Sequence, residues 1–183
     1  YEAALAGAQL GADVTLVERV GVGGSAVLTD VVPSKTLIAT AEAAGAIRDA
    51  ADLGVQFFAR GESGRAVKPE VAVNLTQVNK RLLNLAQDQS DDMRDQLIAA
   101  GVRIIVGDGR LDGPNRIVVA TSQGKKRVDF DQCDADTVIV AVGASPRELP
   151  SAKPDGERIL TWTQLYGLSD VPDHLIVVGS GVT

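Results

Sequence analysis

A carboxylate and a glycine-rich turn stand close together near the start of the chain, and both can bind a nucleotide. Glu18 ends a β-branched run at 14–18, where a carboxylate can accept hydrogen bonds from both hydroxyls of an adenosine ribose. Gly23 and Gly24 let backbone amides approach a phosphate closely, and Ser25 adds a hydroxyl donor. A solvated strand-end carboxylate and an ordinary tight turn explain the same residues, so the pair needs support from its surroundings.

Lys35 lies just after Pro33, where the pattern predicts the first turn of a helix because proline suits that position. A cation in the first turn opposes the helix dipole by about 0.3–1 kcal/mol, so Lys35 is expected to face a compensating anion. A reduced flavin, a distant carboxylate and water all remain open as that partner.

The only cysteine and the only histidine exclude several kinds of chemistry. With Cys133 alone the chain cannot close an internal disulfide, and with His174 alone it cannot assemble a histidine-rich or Cys/His zinc site. Cys133 lies among four aspartates between 129 and 136, which favours a strand or loop residue without a catalytic task. The carboxylates themselves fit a solvated hairpin face better than a site for a hard cation.

Composition favours a globular protein with helices packed on a buried sheet. Of the 183 residues, 45% are hydrophobic but only 3% are aromatic, which argues against stacking platforms for nucleic acid. The net charge is -6, and the only basic run is at 125–127, so no basic face for a phosphate backbone is expected. No apolar run approaches the ~18 residues of a membrane span, and no signal peptide is visible. These features predict a cytoplasmic protein in a reducing setting.

The elements that would position these residues alternate between helices and strands. A helix over 2–10, ended by Gly11, feeds a strand at 14–18, which is half of a βαβ unit. A loop at 21–24 leads to a helix from about 33 to 51. The remaining predicted elements are a loop at 60–66, an amphipathic helix over 70–100, a strand over 102–106, β runs over 117–121, 127–130 and 137–142 with a turn at 122–124, a short helix over 162–168 and a strand over 174–178.

Two of these strands end at glycines. The run 137–142 is apolar throughout, which predicts a strand buried on both faces, with Val142, Gly143 and Ala144 at the carboxyl end where ligands bind in open α/β sheets. The strand over 174–178 is followed by Gly179 and Gly181, as at the opening of a second dinucleotide-binding turn. Because the chain starts inside a helical pattern and stops in this turn, we interpret it as a segment of a longer protein.

Taken in order, these parts resemble the pyridine-nucleotide disulfide oxidoreductases, the family of lipoamide dehydrogenase and glutathione reductase. The resemblance rests on the helix and strand that end at Glu18 and on three further segments, GGSAVLTDVVPSK (23–35), TVIVAVGASP (137–146) and HLIVVGSGVT (174–183). In the family the second segment reads approximately GGTCLNVGCIPSK, with a redox disulfide between its cysteines. Ala26 and Val31 occupy those two positions here.

The resemblance implies an α/β fold: an FAD-binding Rossmann-like domain with a small β-meander over 1–149, lacking its first strand and glycine loop, then a connector and the start of an NAD(P)-binding Rossmann-like domain over 150–183. The residues that it would place around FAD and NAD(P)H are Glu18 at the ribose, Gly23, Gly24 and Ser25 at the pyrophosphate, Lys35 beside the flavin N5, Gly107 or Gly109 near the adenine, Val142, Gly143 and Ala144 close to the cofactor, and Gly179 and Gly181 in the second domain. The family usually has Thr at position 142.

Without the cysteine pair, the chain resembles the branch of this family that acts as NAD(P)H:quinone reductases. That resemblance implies hydride transfer from NAD(P)H to FAD and then reduction of a small-molecule acceptor, a quinone, with Lys35 as the catalytic cation and a homodimer when full length. The alternative is a catalytically silent flavin- or nucleotide-binding homologue with a structural or regulatory role.

Overall fold

The computed structural model describes residues 1–58, 64, 66–122 and 128–179. Two compact units share the chain: one comprises Tyr1–Leu28 and Ala86–Ser145, the other Thr29–Leu85 and Pro146–Thr183. Several expected features lie wholly or mostly outside the described residues: most of the turn at 122–124, the basic run at 125–127, most of the loop at 60–66, and Gly181. The division into an FAD domain and the start of an NAD(P) domain stays a prediction.

The first unit is built around the predicted helix and strand. Helix α1 spans Glu2–Gln9 and is followed by Gly11, whose φ of +88° suits the end of a helix. Strand β1, Thr15–Glu18, pairs in parallel with β4, Arg103–Val106, so that Glu18 stands opposite Val106. The core beneath them contains Val22, Leu97 and Val102, with Tyr1, Ala4, Leu5, Ala8, Val14, Leu16, Met93 and Ile104 packed against it.

A three-stranded antiparallel meander completes this unit. Its strands are β5 (Asp108–Leu111), β6 (Arg116–Ser122) and β7 (Val128–Asp134), with β6 in the centre. The predicted meander is confirmed, but its third strand is β5, which the sequence pattern did not indicate. Val119 of β6 is fully buried, and Cys133 pairs with Ile117.

Helices dominate the second unit. A π-helical turn, Ala26–Asp30, begins in the first unit and leads directly into α2, Val31–Arg48, where Pro33 is fully buried. Helix α2 ends at Arg48 rather than near 51. A two-residue hairpin follows, β2 (Phe57–Phe58) with β3 (Ala66–Val67), and a 3-10 helix, Trp162–Gly167, lies where a short helix was predicted.

Helix α3, Leu75–Ala99, is the long amphipathic helix that the spacing predicts. It begins later than 70, where the Asn74 side chain accepts a hydrogen bond from the Gln77 amide at 2.9 Å. The division between the two units falls within it. Its buried face includes Leu82, Ala86, Ser90 and Leu97, whereas Leu85 is 39% exposed.

Two predicted strands are not formed. The segment 137–142 has no strand, and Ile139, Val140 and Val142 are 63% to 87% exposed; the segment 174–178 likewise has none and is exposed. Apolar character favours a buried strand only when another strand supplies hydrogen bonds at its edge. In the described part of the chain, the strands pair as β1–β4, β2–β3 and β5–β6–β7, and none of them pairs with either segment.

Candidate nucleotide-binding site

The carboxylate of Glu18 stabilises the turn that follows β1. Its Oε1 accepts hydrogen bonds from the amides of Arg19 and Val20, both at 2.8 Å, and from Gly21 at 3.3 Å. Among the described residues none donates a hydrogen bond to Oε2. One oxygen of the half-buried carboxylate therefore shapes the loop, and the other is available to a ribose hydroxyl.

The loop after Glu18 is closely packed on one side and open on the other. Gly24 donates a hydrogen bond to the Gly21 carbonyl at 3.1 Å, which closes the turn. Gly23 has a φ of +93°, and a Cβ there would lie 2.8 Å from Val27 Cβ. Gly24 has a φ of +56°, and a Cβ there would have no atom within 4 Å. The open side of the loop at Gly24 can thus receive a ligand atom where a side chain would otherwise project.

Two predicted site residues that are far apart in the sequence meet beside this loop. A Cβ on Gly143, which has a φ of +71°, would lie 3.9 Å from Ser25 Oγ. Both residues are exposed. The segment after 142 therefore reaches the start of the helical region that follows the glycine loop, although the strand predicted before it is not formed.

Gly107 and Gly109 lie beside β1. The Gly107 amide donates to the Glu18 carbonyl at 2.9 Å, and a Cβ on Gly109 would be 3.1 Å from Val17 Cγ1. The two glycines allow the meander to approach β1 near Glu18. Gly109 thus has a packing reason for being glycine, apart from any contact with adenine.

Lys35 is the fifth residue of α2 and is exposed. Because the π-helical turn precedes α2, Lys35 stands farther from the first turn of the helical region than the sequence pattern indicated, so its opposition to the dipole is weaker. Ala26 begins the π-helical turn, and Val31 follows it as the first residue of α2. Turns of this kind are rare and often mark functional sites.

The other predicted site residues that the structure describes, Val142, Ala144 and Gly179, are exposed. Val142 and Ala144 flank Gly143 in a segment without regular secondary structure, and Gly179, the last described residue, has a φ of +116°. Gly181 falls outside the described residues. Within the described ranges, no group of three or more His, Cys, Asp or Glu side chains could hold a metal ion, and no helix is both long and apolar enough to cross a membrane.

Two side chains of the second unit have altered acidity. Burial raises the pKa of Tyr166, and the Asp30 carboxylate adds to that effect. The pKa of Asp155 is lowered because its Oδ1 accepts hydrogen bonds from the amides of Ile159, Glu157 and Arg158. Asp155 therefore stabilises a surface turn.

Ser90 of α3 contacts the glycine loop and was not predicted as a site residue. Its hydroxyl donates a hydrogen bond to the Val22 carbonyl at 2.8 Å, and Ser90 is only 2% exposed. The available signal was a serine within the apolar stripe of α3, between Ala86 and Met93.

Comparison with known proteins identifies the family. The family described as "Pyridine nucleotide-disulphide oxidoreductase" matches residues 1–183. This chain belongs to that family. Its members use FAD and NAD(P)H and have Rossmann-type folds, so the mixed α/β architecture agrees with the expected fold class.

Individual relatives match nearly the whole chain. An NAD(P)H dehydrogenase (quinone) of Mycobacterium tuberculosis (strain ATCC 25618 / H37Rv) is 44% identical over 192 aligned residues, which cover 100% of this chain and 36% of that protein. A dihydrolipoyl dehydrogenase of Chlorobaculum parvum is 33% identical, covering 99% of this chain and 35% of that protein.

A crystal structure of LpdA from Mycobacterium tuberculosis has a TM-score of 0.77 and 41% identity, covering 95% of this chain and 36% of that chain. The chain thus spans about a third of the length of each of these relatives.

Proposed function

We propose that this chain is the FAD-binding part of an NAD(P)H:acceptor oxidoreductase of the quinone type that works without a redox disulfide. FAD, when bound, supplies the chemistry: it accepts a hydride from NAD(P)H and passes two electrons to the acceptor. The name of the Mycobacterium tuberculosis relative supports a quinone as the acceptor class.

The observation that carries the proposal is the meeting of Ser25 and Gly143 beside an open glycine loop. Ser25 and Gly143 come from the two sequence segments of the first unit. They lie beside Gly24, where a Cβ would have no atom within 4 Å. Glu18, at the start of the same loop, keeps Oε2 for a ribose hydroxyl. These residues fit FAD, with backbone amides at its phosphates and the carboxylate at its ribose.

The residues at the family's cysteine positions support an acceptor other than a disulfide. Ala26 and Val31 cannot act as nucleophiles or carry electrons. The chain's only cysteine, Cys133, lies in strand β7 of the meander, opposite Ile117 of β6. The two positions cannot form a disulfide, so electrons would leave the protein for an external acceptor directly.

Lys35 is the residue that we propose as the catalytic cation. Its exposed ammonium has no ion-pair partner in the described part of the chain and would stabilise an anionic reduced flavin. Gly179 and Gly181 would belong to the NAD(P)-binding turn, and Gly109, Val142 and Ala144 would line the FAD site. A homodimer and a cytoplasmic location are also part of this proposal.

The test is to purify the protein, measure bound FAD by its absorbance, and follow NAD(P)H oxidation with menadione as the acceptor. A protein that cannot be reconstituted with FAD would refute the proposal. An exposed ion pair contributes up to about 1 kcal/mol. Because about 30 mV corresponds to 1.4 kcal/mol for a two-electron couple, Lys35→Ala should lower the reduction potential of bound FAD by about 20 mV. Lys80→Ala, which removes another exposed lysine of the second unit, should leave the potential unchanged.

A second candidate is a flavin-binding homologue without catalytic activity. The absence of thiols at both 26 and 31 favours it, since the usual route of electrons in the family is lost. Bound FAD that no NAD(P)H and acceptor pair turns over would support this candidate, and rapid menadione reduction would eliminate it.

A further inference from the structure

Ser90 is a buried polar residue whose hydrogen bond goes to the glycine loop. A serine in a helix often donates to the carbonyl of its own helix one turn earlier. The Ser90 hydroxyl instead donates to the carbonyl of Val22, 2.8 Å away in a distant part of the sequence. Ser90 and Val22 are both almost completely buried, at 2% and 4% exposure, so water does not compete for this bond.

The loop and α3 are in direct contact around this bond. A Cβ on Gly21 would lie only 2.8 Å from Ser90 Oγ, and one on Gly23 would lie 3.3 Å from Met93 Sδ. Ser90 and Met93 are three residues apart and therefore share one face of the helix. Two glycines of the loop thus pack against that face, with Val22 held between them.

The direction of one loop amide follows from this arrangement. The Val22 carbonyl and the Gly23 N–H belong to the same planar peptide group and point in opposite directions. When Ser90 holds the carbonyl towards α3, the Gly23 N–H is directed away from α3. Rotation of this peptide would break the Ser90 hydrogen bond and leave a buried carbonyl without a donor.

We propose that Ser90 is a positioning residue for FAD, which holds the Val22–Gly23 peptide in the orientation that the FAD phosphates require. Ser90 itself touches no cofactor atom in this role and acts through the loop. The inference rests on the proposed function, because it assumes that the loop binds FAD.

The test compares FAD affinity and thermal stability in variants of α3 made in the purified protein. Ser90→Ala removes the donor and should weaken FAD binding about tenfold, the change that corresponds to about 1.4 kcal/mol. Ser90→Thr keeps the hydroxyl and should restore affinity to within about threefold of the unmodified protein.

Asn79→Ala is the matched control. Asn79 is also buried on α3, and its Nδ2 donates to the Leu168 carbonyl at 2.8 Å, so this variant loses an equivalent hydrogen bond away from the glycine loop. It should lower the melting temperature while FAD affinity stays unchanged. FAD affinity is read by fluorescence quenching at a temperature where circular dichroism shows every variant to be folded.

The outcomes separate the two proposals. Loss of affinity in Ser90→Ala with recovery in Ser90→Thr and no change in Asn79→Ala supports the positioning role. Equal affinity of Ser90→Ala and the unmodified protein, or an equal loss in Asn79→Ala, overturns that role while leaving the proposed function intact. An unmodified protein that binds no FAD overturns the proposed function and this inference with it.

Discussion

Replacing three glycines by alanine, one at a time, separates the packing of the loop from its binding role. Gly11, Gly23 and Gly24 all have positive φ, so each alanine carries the cost of a left-handed backbone, about 1–2 kcal/mol. Their surroundings differ. A Cβ has no neighbour within 4 Å at Gly11 or Gly24, whereas at Gly23 it overlaps with Val27.

The expected losses of stability follow from these contacts. Gly11→Ala and Gly24→Ala should each lower the free energy of unfolding by about 1–2 kcal/mol. Gly23→Ala adds the cost of overpacking, typically 1–3 kcal/mol, for a total of about 2–5 kcal/mol. The overlap with Val27 cannot be relieved simply, because it involves the Val27 Cβ as well as a terminal methyl group.

FAD affinity should follow a different order. The Gly24 methyl group would occupy the open side of the loop where we propose that a phosphate binds, so Gly24→Ala should weaken FAD binding at least tenfold, or about 1.4 kcal/mol. Gly11→Ala pays the same backbone cost at the end of α1 and should bind FAD normally. Urea unfolding measures the stabilities, and flavin fluorescence titration measures the affinities.

Two results would refute this reasoning. If Gly24→Ala binds FAD as tightly as Gly11→Ala, then the open side of the loop does not receive the cofactor. If Gly23→Ala is no less stable than Gly24→Ala, then the close packing of Gly23 against Val27 is not present in solution.

Three further predictions concern the second unit. Leu82→Ala should lower the free energy of unfolding by about 2–5 kcal/mol, because Leu82 is fully buried. Leu83, the next residue, is 43% exposed, so Leu83→Ala should lower it much less in the same urea experiment. Asn74→Ala should cost about 1 kcal/mol by removing the cap on the Gln77 amide, and Asn74→Asp, which keeps the acceptor, should not. Burial raises the pKa of Tyr166, so its contribution to the free energy of unfolding is complete below about pH 10, the usual tyrosine pKa, and falls as the pH rises through the folded-state value. Tyr166→Phe should lack this alkaline loss of stability. Equal pH profiles of the two proteins would contradict the prediction.

Local patterns predicted the elements that depend mainly on their own residues. Helix α1 ends before Gly11, β1 is a short β-branched run, and α3 carries an apolar stripe, so each was predicted within a few residues. The family motif likewise indicated Glu18 and the glycine loop as candidate site residues, which stays a prediction. These features are encoded by residues that are neighbours in the sequence or along one helix.

Strand β5 and the run at 137–142 show where such patterns fail. All four residues of β5 are exposed and it lacks an apolar alternation, so only its pairing with β6 makes it a strand. The run at 137–142 has the apolar character of a strand but no pairing partner among the described strands. Strand formation depends on hydrogen bonds to a second segment, which a local pattern does not contain.

By itself, the sequence determined which chemistry is available: a carboxylate and glycines suited to a nucleotide, and no thiols at 26 and 31. Only the tertiary structure decided that Ser25 meets Gly143, that Glu18 Oε1 is used by the loop, and that Ser90 holds the Val22 carbonyl. Residue type sets what a side chain can donate, accept or transfer. Which partner it finds depends on packing between segments that are remote in the chain. Burial makes that hydrogen bond hard to exchange for another, because an unpaired polar group in the interior is costly.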